Sequence, residues 1–307
     1  MNETSRQPSY RNARVLRWAS YLWREAIFDS GRTIAPALTK PNPAQWSDEL
    51  LTAAWLGHAT AHINFFGVWI LTDPALFSRA GIRLPGITIG PKRLTAPALS
   101  VRELPRIDLV LLSHAHFDHF DLRTLHQFDS STKVVTAPRT RDLLRWTRLR
   151  EVTELRWGES ASFSMRGGSI GVTAFRVLHW GARMQHDNYR GYNGYLFERN
   201  GHRIIFSGDT ARTDSFAELR SRGRLDLAIM SIGCYNPWIR THCNPEEAVQ
   251  MADAAGARFV MPVHHQTFRL SFESFREPIE RFDLALQKTP ERIALREIGQ
   301  TFVLPTS

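Results

Sequence analysis

Apolar residues at helical spacing open the chain: Val15, Leu16, Trp18, Ala19, Leu22, Trp23, Ala26 and Ile27 are interleaved with Arg11, Arg14, Arg17 and Arg24. The spacing predicts a basic amphipathic helix over residues 11–28, suited to an anionic membrane or to the protein's own body. Pro36, Pro41 and Pro43 then interrupt regular structure, so residues 31–48 read as a linker and the main body begins near Leu50. The expected organisation is a helix and linker over residues 1–49 and one domain over residues 50–307.

From residue 50 the period changes. Short apolar or alternating runs at 51–56, 61–66 and 68–71, broken by Gly57 and Gly67, read as consecutive antiparallel strands. The unbroken run Leu109-Val110-Leu111-Leu112 predicts a strand buried on both faces. Further strands are predicted at 133–136, 152–157, 161–166, 169–178, 194–198, 203–207, 225–231 and 258–261. Helices are predicted near 122–128, 140–148, 216–222, 245–255 and 272–285. The helix at 245 carries the clearest start: Asn244 as N-cap, Pro245 at the first position, and Glu246 and Glu247 in the first turn. Two sheets packed face to face, with helices outside, fit this mixed order better than an all-parallel doubly wound sheet.

A chain of 307 residues with 43% hydrophobic and 22% charged residues has ordinary globular composition, which excludes a fibrous repeat and favours one large domain. Lys and Arg exceed Asp and Glu by 39 to 30, a surplus that suits acidic partners or serves solubility alone. Cys234 and Cys243 form neither a redox pair nor a zinc knuckle and are expected to be reduced packing residues. The opening residues lack a basic start followed by an apolar stretch, and no run is long enough to span a bilayer, so a cytoplasmic location is expected, with peripheral membrane contact through residues 11–28.

The chemistry concentrates in Ser113-His114-Ala115-His116-Phe117-Asp118-His119, directly after the buried strand. Imidazole nitrogens and carboxylate oxygens are ligands for zinc and similar divalent ions, and a tight loop gathers them without distant chain segments. His179, Asp209 and His264 each follow another apolar strand, and strand ends can converge on one rim. Together these residues predict a metal centre.

In order and spacing, the His-x-His-x-Asp-His run, His179, the Ser207-Gly208-Asp209-Thr210 turn and His264 resemble the metallo-β-lactamase superfamily. Trp55-Leu56-Gly57-His58-Ala59-Thr60, Leu71-Thr72-Asp73-Pro74, Gly90-Pro91-Lys92-Arg93, Glu103-Leu104-Pro105-Arg106-Ile107-Asp108 and Asn244-Pro245-Glu246-Glu247-Ala248 are similar to its branch containing N-acylphosphatidylethanolamine-hydrolysing phospholipase D. The resemblance implies an αββα sandwich of two packed mixed β-sheets flanked by helices. It also implies two metals: His114, His116 and His179 on one, Asp118, His119 and His264 on the other, Asp209 bridging. Zinc is the first choice, with iron or manganese compatible with the same donors. Two ions roughly 3.5 to 4 Å apart share a water and lower its pKa toward neutrality, which makes a bridging hydroxide the expected nucleophile and Asp118 a residue able to orient it.

The neighbours divide by role. His242, two residues before the Asn244 cap, stands where an anion is favoured, and that branch carries a histidine at the corresponding place; a substrate-side, proton-donating role is expected for it. Lys92, Arg93 and His265 are candidates to meet an anionic substrate, and His58 to support a metal ligand. His265 replaces the Trp that usually follows the ligand histidine in the branch. The expected function is hydrolysis of a phosphodiester, such as a small anionic molecule or a phospholipid. The alternatives are a lactone, amide or other acyl bond on the same centre, then a nuclease or an iron-dependent oxidoreductase. No nucleic-acid module accompanies the motif.

Overall fold

A computed structural model describes residues 31–184 and 186–306. The helix predicted over 11–28 lies outside the described residues. Along the chain run strands β1 (Leu51–Gly57), β2 (Thr60–Phe65), β3 (Val68–Thr72), β4 (Ile82–Leu84), β5 (Ile87–Ile89), β6 (Leu109–Leu112), β7 (Lys133–Thr136) and β8 (Val152–Glu154). After them come β9 (Ser160–Met165), β10 (Gly168–Phe175), β11 (Gly194–Arg199), β12 (His202–Phe206), β13 (Leu225–Ser231), β14 (Ala257–Val263) and β15 (Thr301–Val303).

Alternation along the buried strands explains why two layers form. In β12 and β13, Ile204, Phe206, Leu227 and Ile229 join the core shared with β1, β2, β3 and β6, while Ile205, Ala228 and Met230 point the opposite way. Successive side chains of a strand alternate faces, so a continuous apolar run belongs to a sheet covered on both sides. The inner faces bury Trp55, Ile63, Ile70, Leu111, Tyr195 and Phe197 completely, each contributing roughly 1.5–3 kcal/mol for its apolar part. The outer face of the second sheet is covered by helices Ser215–Leu219, Pro245–Ala255 and Glu277–Ala285, which supply Phe216, Ala248, Ala252 and Phe282.

One sheet has the order β15-β1-β2-β3-β6-β7-β8, the other β14-β13-β12-β11-β10-β9. Each is mixed: β3, β6, β7 and β8 run parallel, as do β12, β13 and β14, and the remaining pairs are antiparallel. This is the expected αββα sandwich, with thin helical cover on the first sheet. Among the described residues, the helix Leu122–Leu125 and the 3-10 helices Val101–Glu103 and Arg141–Trp146 lie near it. Residues 140–148 do not become the α-helix predicted for them. The Glu154 carboxylate accepts from the backbone N–H groups of Thr140 and Arg141 at 2.8 Å each, which fixes the segment's start in a tight turn. Likewise the last helix begins at Glu277 and not near 272, because Glu273 accepts from the backbone of Cys234 and Asn236 and is held outside it.

The linker lies against the body. Ala35 bridges Thr95, and Trp46 stacks on Trp69 with centroids 5.7 Å apart. Among the described residues, no helix is long and apolar enough to cross a membrane.

Arg93 departs from its expected role at an anionic substrate group. It is 0% exposed, and burial pushes its guanidinium down to about 9. Nε donates to the Phe77 carbonyl at 2.8 Å and a terminal nitrogen to the Ala75 carbonyl, while the plane lies 4.9 Å from the Phe268 ring. The guanidinium is spent on main-chain oxygens that stitch residues 75–77 to the segment bridged with Phe268. Arg93→Met is therefore expected to destabilise the protein by about 3 kcal/mol, since buried carbonyls without donors cost roughly 1–3 kcal/mol each. Arg93→Lys should rescue little, a single ammonium being unable to reproduce the planar fork. Thermal unfolding checks this: a melting temperature unchanged in both variants would return Arg93 to a substrate role.

Candidate metal centre

The strand ends place the donors. β3 ends before Asp73, β6 before Ser113 and His114, β12 before Gly208 and Asp209, and β14 before His264. Because these strands run parallel within their sheets, their carboxyl ends open on one rim, the usual place for a ligand crevice in α/β sheets. Gly208 lets the two sheets close there. Its φ is +56°, and a Cβ would stand 2.6 Å from that of Ser113 and 2.9 Å from the Asn193 carbonyl oxygen. His58, Asp73 and His264 also take positive φ of 52°, 32° and 66°. Non-glycine residues adopt such backbone at a cost, and it clusters where function over-determines the geometry.

Four overlapping groups of donors converge among the described residues, with ligand atoms in each within 4.8 Å of one another: the larger two are His114, His116, His179 and Asp209, and His58, Asp118, His119 and His264; the smaller two, Asp73 with His114 and His119, and His242 with Asp209 and His264, share their members. In the first, His116 Nδ1 faces His114 Nε2 at 2.7 Å and His179 Nε2 at 3.3 Å. In the second, His264 Nε2 and His119 Nε2 are 3.1 Å apart. Between them Asp209 Oδ2 lies 3.1 Å from His119 Nε2, 3.2 Å from His264 Nε2 and 3.9 Å from His179 Nε2. Asp118 Oδ2 is 3.6 Å from His119 Nε2 and 3.8 Å from His264 Nε2.

Three of the outward nitrogens are already engaged, while His116 Nε2 and His264 Nδ1 have no hydrogen-bond partner. His114 Nδ1 contacts Ser113 Oγ at 2.8 Å, His119 Nδ1 contacts Asp73 Oδ2 at 2.7 Å, and His179 Nδ1 contacts the Thr241 carbonyl at 2.8 Å. Such partners fix which nitrogen points inward and raise its basicity. Neutral imidazoles whose inward lone pairs face one another cannot all find protons there, whereas a shared cation satisfies them together. The nitrogen and oxygen donors thus fit divalent metal.

Electrostatics agree with a site built for added positive charge. Burial pushes His116 and His58 down to about 3 and His179 to about 4, and His114 well below the imidazole range. Burial also opposes charge on His264, yet the Asp209 carboxylate holds it up at about 9, and His119 is raised by Asp209 and Asp118 against the same burial. Burial disfavours the Asp118 and Asp209 carboxylates, but the surrounding imidazoles, His119 first, hold both well below the usual range.

The remaining candidates separate by position. His58 Nε2 lies 2.9 Å from Asp118 Oδ2, within hydrogen-bond reach of a ligand carboxylate. His242 is buried beside the cluster, its Nδ1 unpartnered and 3.8 Å from Asp209 Oδ2. His265 is not among the convergent donors; its ring packs on Trp55 with centroids 4.3 Å apart, and burial pushes it to about 3. Lys92 Nζ meets the Arg32 carbonyl.

Asp73 and Arg183 were not identified from sequence as site residues. Asp73 is fully buried, accepts from the Ser113 amide at 2.7 Å and braces His119. An acid directly after a buried strand was its signal, the same signal that exposed Asp209. Arg183 donates to the carbonyls of Ala115 at 3.1 Å and Phe120 at 2.9 Å and lies 4.0 Å from the Phe117 ring centroid, gripping both ends of the histidine loop. No local pattern around Arg183 distinguishes it from the many other arginines of the chain.

Residues 68–265 match the Beta-lactamase superfamily domain. An uncharacterized protein of Mycobacterium tuberculosis is 32% identical over 285 residues, covering 90% of this chain and 75% of that protein. The N-acyl-phosphatidylethanolamine-hydrolyzing phospholipase D 1 of Caenorhabditis elegans is 32% identical over 250 residues, covering 76% of this chain and 69% of its own. Among solved structures, the metallo hydrolase Igni18 of Ignicoccus hospitalis superposes with a TM-score of 0.62 at 17% identity, over 84% of this chain and 99% of that one. With the sandwich and its rim of histidines and aspartates, these likenesses make the chain a member of the β-lactamase superfamily, as one of its metal-dependent hydrolases.

Proposed function

We propose that the chain hydrolyses a phosphodiester of phospholipid type at a centre holding two divalent ions. His114, His116 and His179 would hold one ion, and Asp118, His119 and His264 the other. The observation that carries the pair is Asp209: its single Oδ2 reaches imidazole nitrogens of both groups, 3.1 Å from His119 and 3.9 Å from His179. Zinc suits this nitrogen and oxygen set, and iron or manganese share the preference. When bound, such ions supply Lewis-acid polarisation and acidify water at neutral pH.

The chain's own residues do the rest. Asp118, with a side chain 16% exposed where His119 and His264 are closed, keeps Oδ2 among the imidazoles and can accept a hydrogen bond from attacking water. His58, held neutral by burial, donates from Nε2 to that same oxygen and fixes its direction. His242 keeps Nδ1 free of protein partners and close to Asp209; burial holds its imidazole well below the usual range, so the role proposed for it is that of a neutral hydrogen-bond donor to the leaving oxygen. Likeness to the nematode phospholipase D and the surplus of basic residues support a phosphodiester. His265 on Trp55, in place of the branch's usual Trp, favours a second reading in which the same centre opens a lactone or other acyl bond.

Metal analysis of the loaded protein is expected to give about two ions per chain, since a four-coordinate single site would leave donors unused. Asp209→Ala should lower that to one or fewer; saturation at a single ion that ignores the substitution would refute the bridge. His242→Ala should keep both ions and slow turnover by about 10² to 10⁴-fold, the range of a lost general acid or base. Rates on a bis-aryl phosphodiester, a phospholipid, a lactone and a β-lactam are the readout. Phosphodiester turnover at the unsubstituted rate would remove His242 from the reaction, and turnover confined to the lactone would select the second reading.

A further inference from the structure

The hairpin β4–β5 stands apart from both sheets as a two-stranded unit. Its register pairs Ile82 with Ile89 and Leu84 with Ile87, so the four aliphatic side chains share one face. They are 42%, 41%, 43% and 59% exposed. A lone hairpin is marginal in water, and this one is tied down through Thr88, whose hydroxyl accepts from Arg123 at 2.9 Å. Beside it runs a groove of 950 Å³ whose lining includes Ile87, Phe117, Trp146 and Met184. Trp146 is 72% exposed. Phe117, between His116 and Asp118, brings the groove to the edge of the donor cluster.

The surroundings are basic. The groove's own lining carries Arg83, Arg123 and Arg183, and its single acid, Asp121, is paired with Arg123 at 3.0 Å. Residues 139–150 carry Arg139, Arg141, Arg145, Arg148 and Arg150, and their single acid, Asp142, is bonded by Arg190 at 2.6 Å. Exposed aliphatic and indole groups set among arginines match the two layers of an anionic lipid surface, hydrocarbon below and phosphate above. Other occupants fit less well. A second copy would oppose arginine to arginine across a two-fold contact. The chain's first thirty residues carry Arg6, Arg11, Arg14, Arg17 and Arg24 against Glu3, Glu25 and Asp29, again basic upon basic.

We infer that the hairpin and Trp146 dock the protein on anionic bilayers, presenting the groove and the adjoining metal centre to lipid headgroups. The inference rests on the phospholipid-type reading of the substrate. The full-length, metal-loaded protein is expected to co-sediment with phosphatidylglycerol–phosphatidylcholine vesicles, more weakly as salt rises, and not with phosphatidylcholine alone. Leu84→Glu with Ile87→Glu should lower partition tenfold or more while hydrolysis of a soluble bis-aryl phosphodiester stays unchanged. Arg83→Ser with Arg148→Ser, which spares the apolar face, should weaken the preference for phosphatidylglycerol and guards against misfolding of the first variant. Unchanged partition in both variants overturns the inference, as does binding abolished by Arg11→Glu with Arg14→Glu while the hairpin variants bind normally. Vesicle binding without turnover of any phosphodiester would support docking and sink the substrate reading; turnover without vesicle binding would do the reverse.

Discussion

Burying imidazoles and carboxylates together is costly unless something compensates them, and around that constraint the molecule is arranged. Asp209 is 2% exposed, His114 1% and His119 0%, in surroundings where an unpaired charge or lone pair is penalised far more than in water. Repulsion among neighbouring imidazoles adds to burial in depressing His116 and His179. Asp209 and Asp118 hold His119 and His264 upward, and Asp73, hydrogen-bonded to His119, adds to the effect there. A pocket of this kind is stable as a metal site and poor as a hydrophobic core.

Keeping such donors converged demands stiff supports. Parallel strands filled on both faces provide them, because the alternation of Ile204 and Ile205 locks β12 against sheet and helix at once. Asp73 joins the ends of β3 and β6 by bracing the Ser113 amide and the His119 ring, so a shift of either strand would move a donor. Gly208 admits a close approach to Ser113, and Arg183 holds both ends of the histidine loop. Backbone strain at His58, Asp73 and His264 is then borne by the surrounding bonds, including the His264 amide donating to the His58 carbonyl at 2.9 Å.

Periodicity made much of this legible. Strands with two buried faces announced themselves as apolar runs, and the polar residue ending each run marked the rim, which is how His179, Asp209 and His264 were found among unrelated segments. The capping set at Asn244 gave the helix Pro245–Ala255 its observed bounds. What failed depends on partners distant in sequence. Arg93 reads as a surface cation until the carbonyls of Ala75 and Phe77 enclose it. His58 is expected to support a metal ligand, but which one emerges only when the fold brings Asp118 onto it, and Arg183 carries no local pattern at all. The hairpin β4–β5 escaped because its aliphatic residues face outward, where burial cannot impose a pattern.

X-ray absorption at the metal edge of the zinc-loaded protein bears most directly on the paired centre. The donors assembled at the rim lead to nitrogen and oxygen neighbours at about 2.0–2.2 Å, an imidazole signature, and a second metal at roughly 3.5–4 Å. Cys234 and Cys243 are buried outside the donor groups, so no sulfur shell is expected. A sulfur neighbour near 2.3 Å, or an isolated ion with no metal scatterer at saturating zinc, would contradict the account.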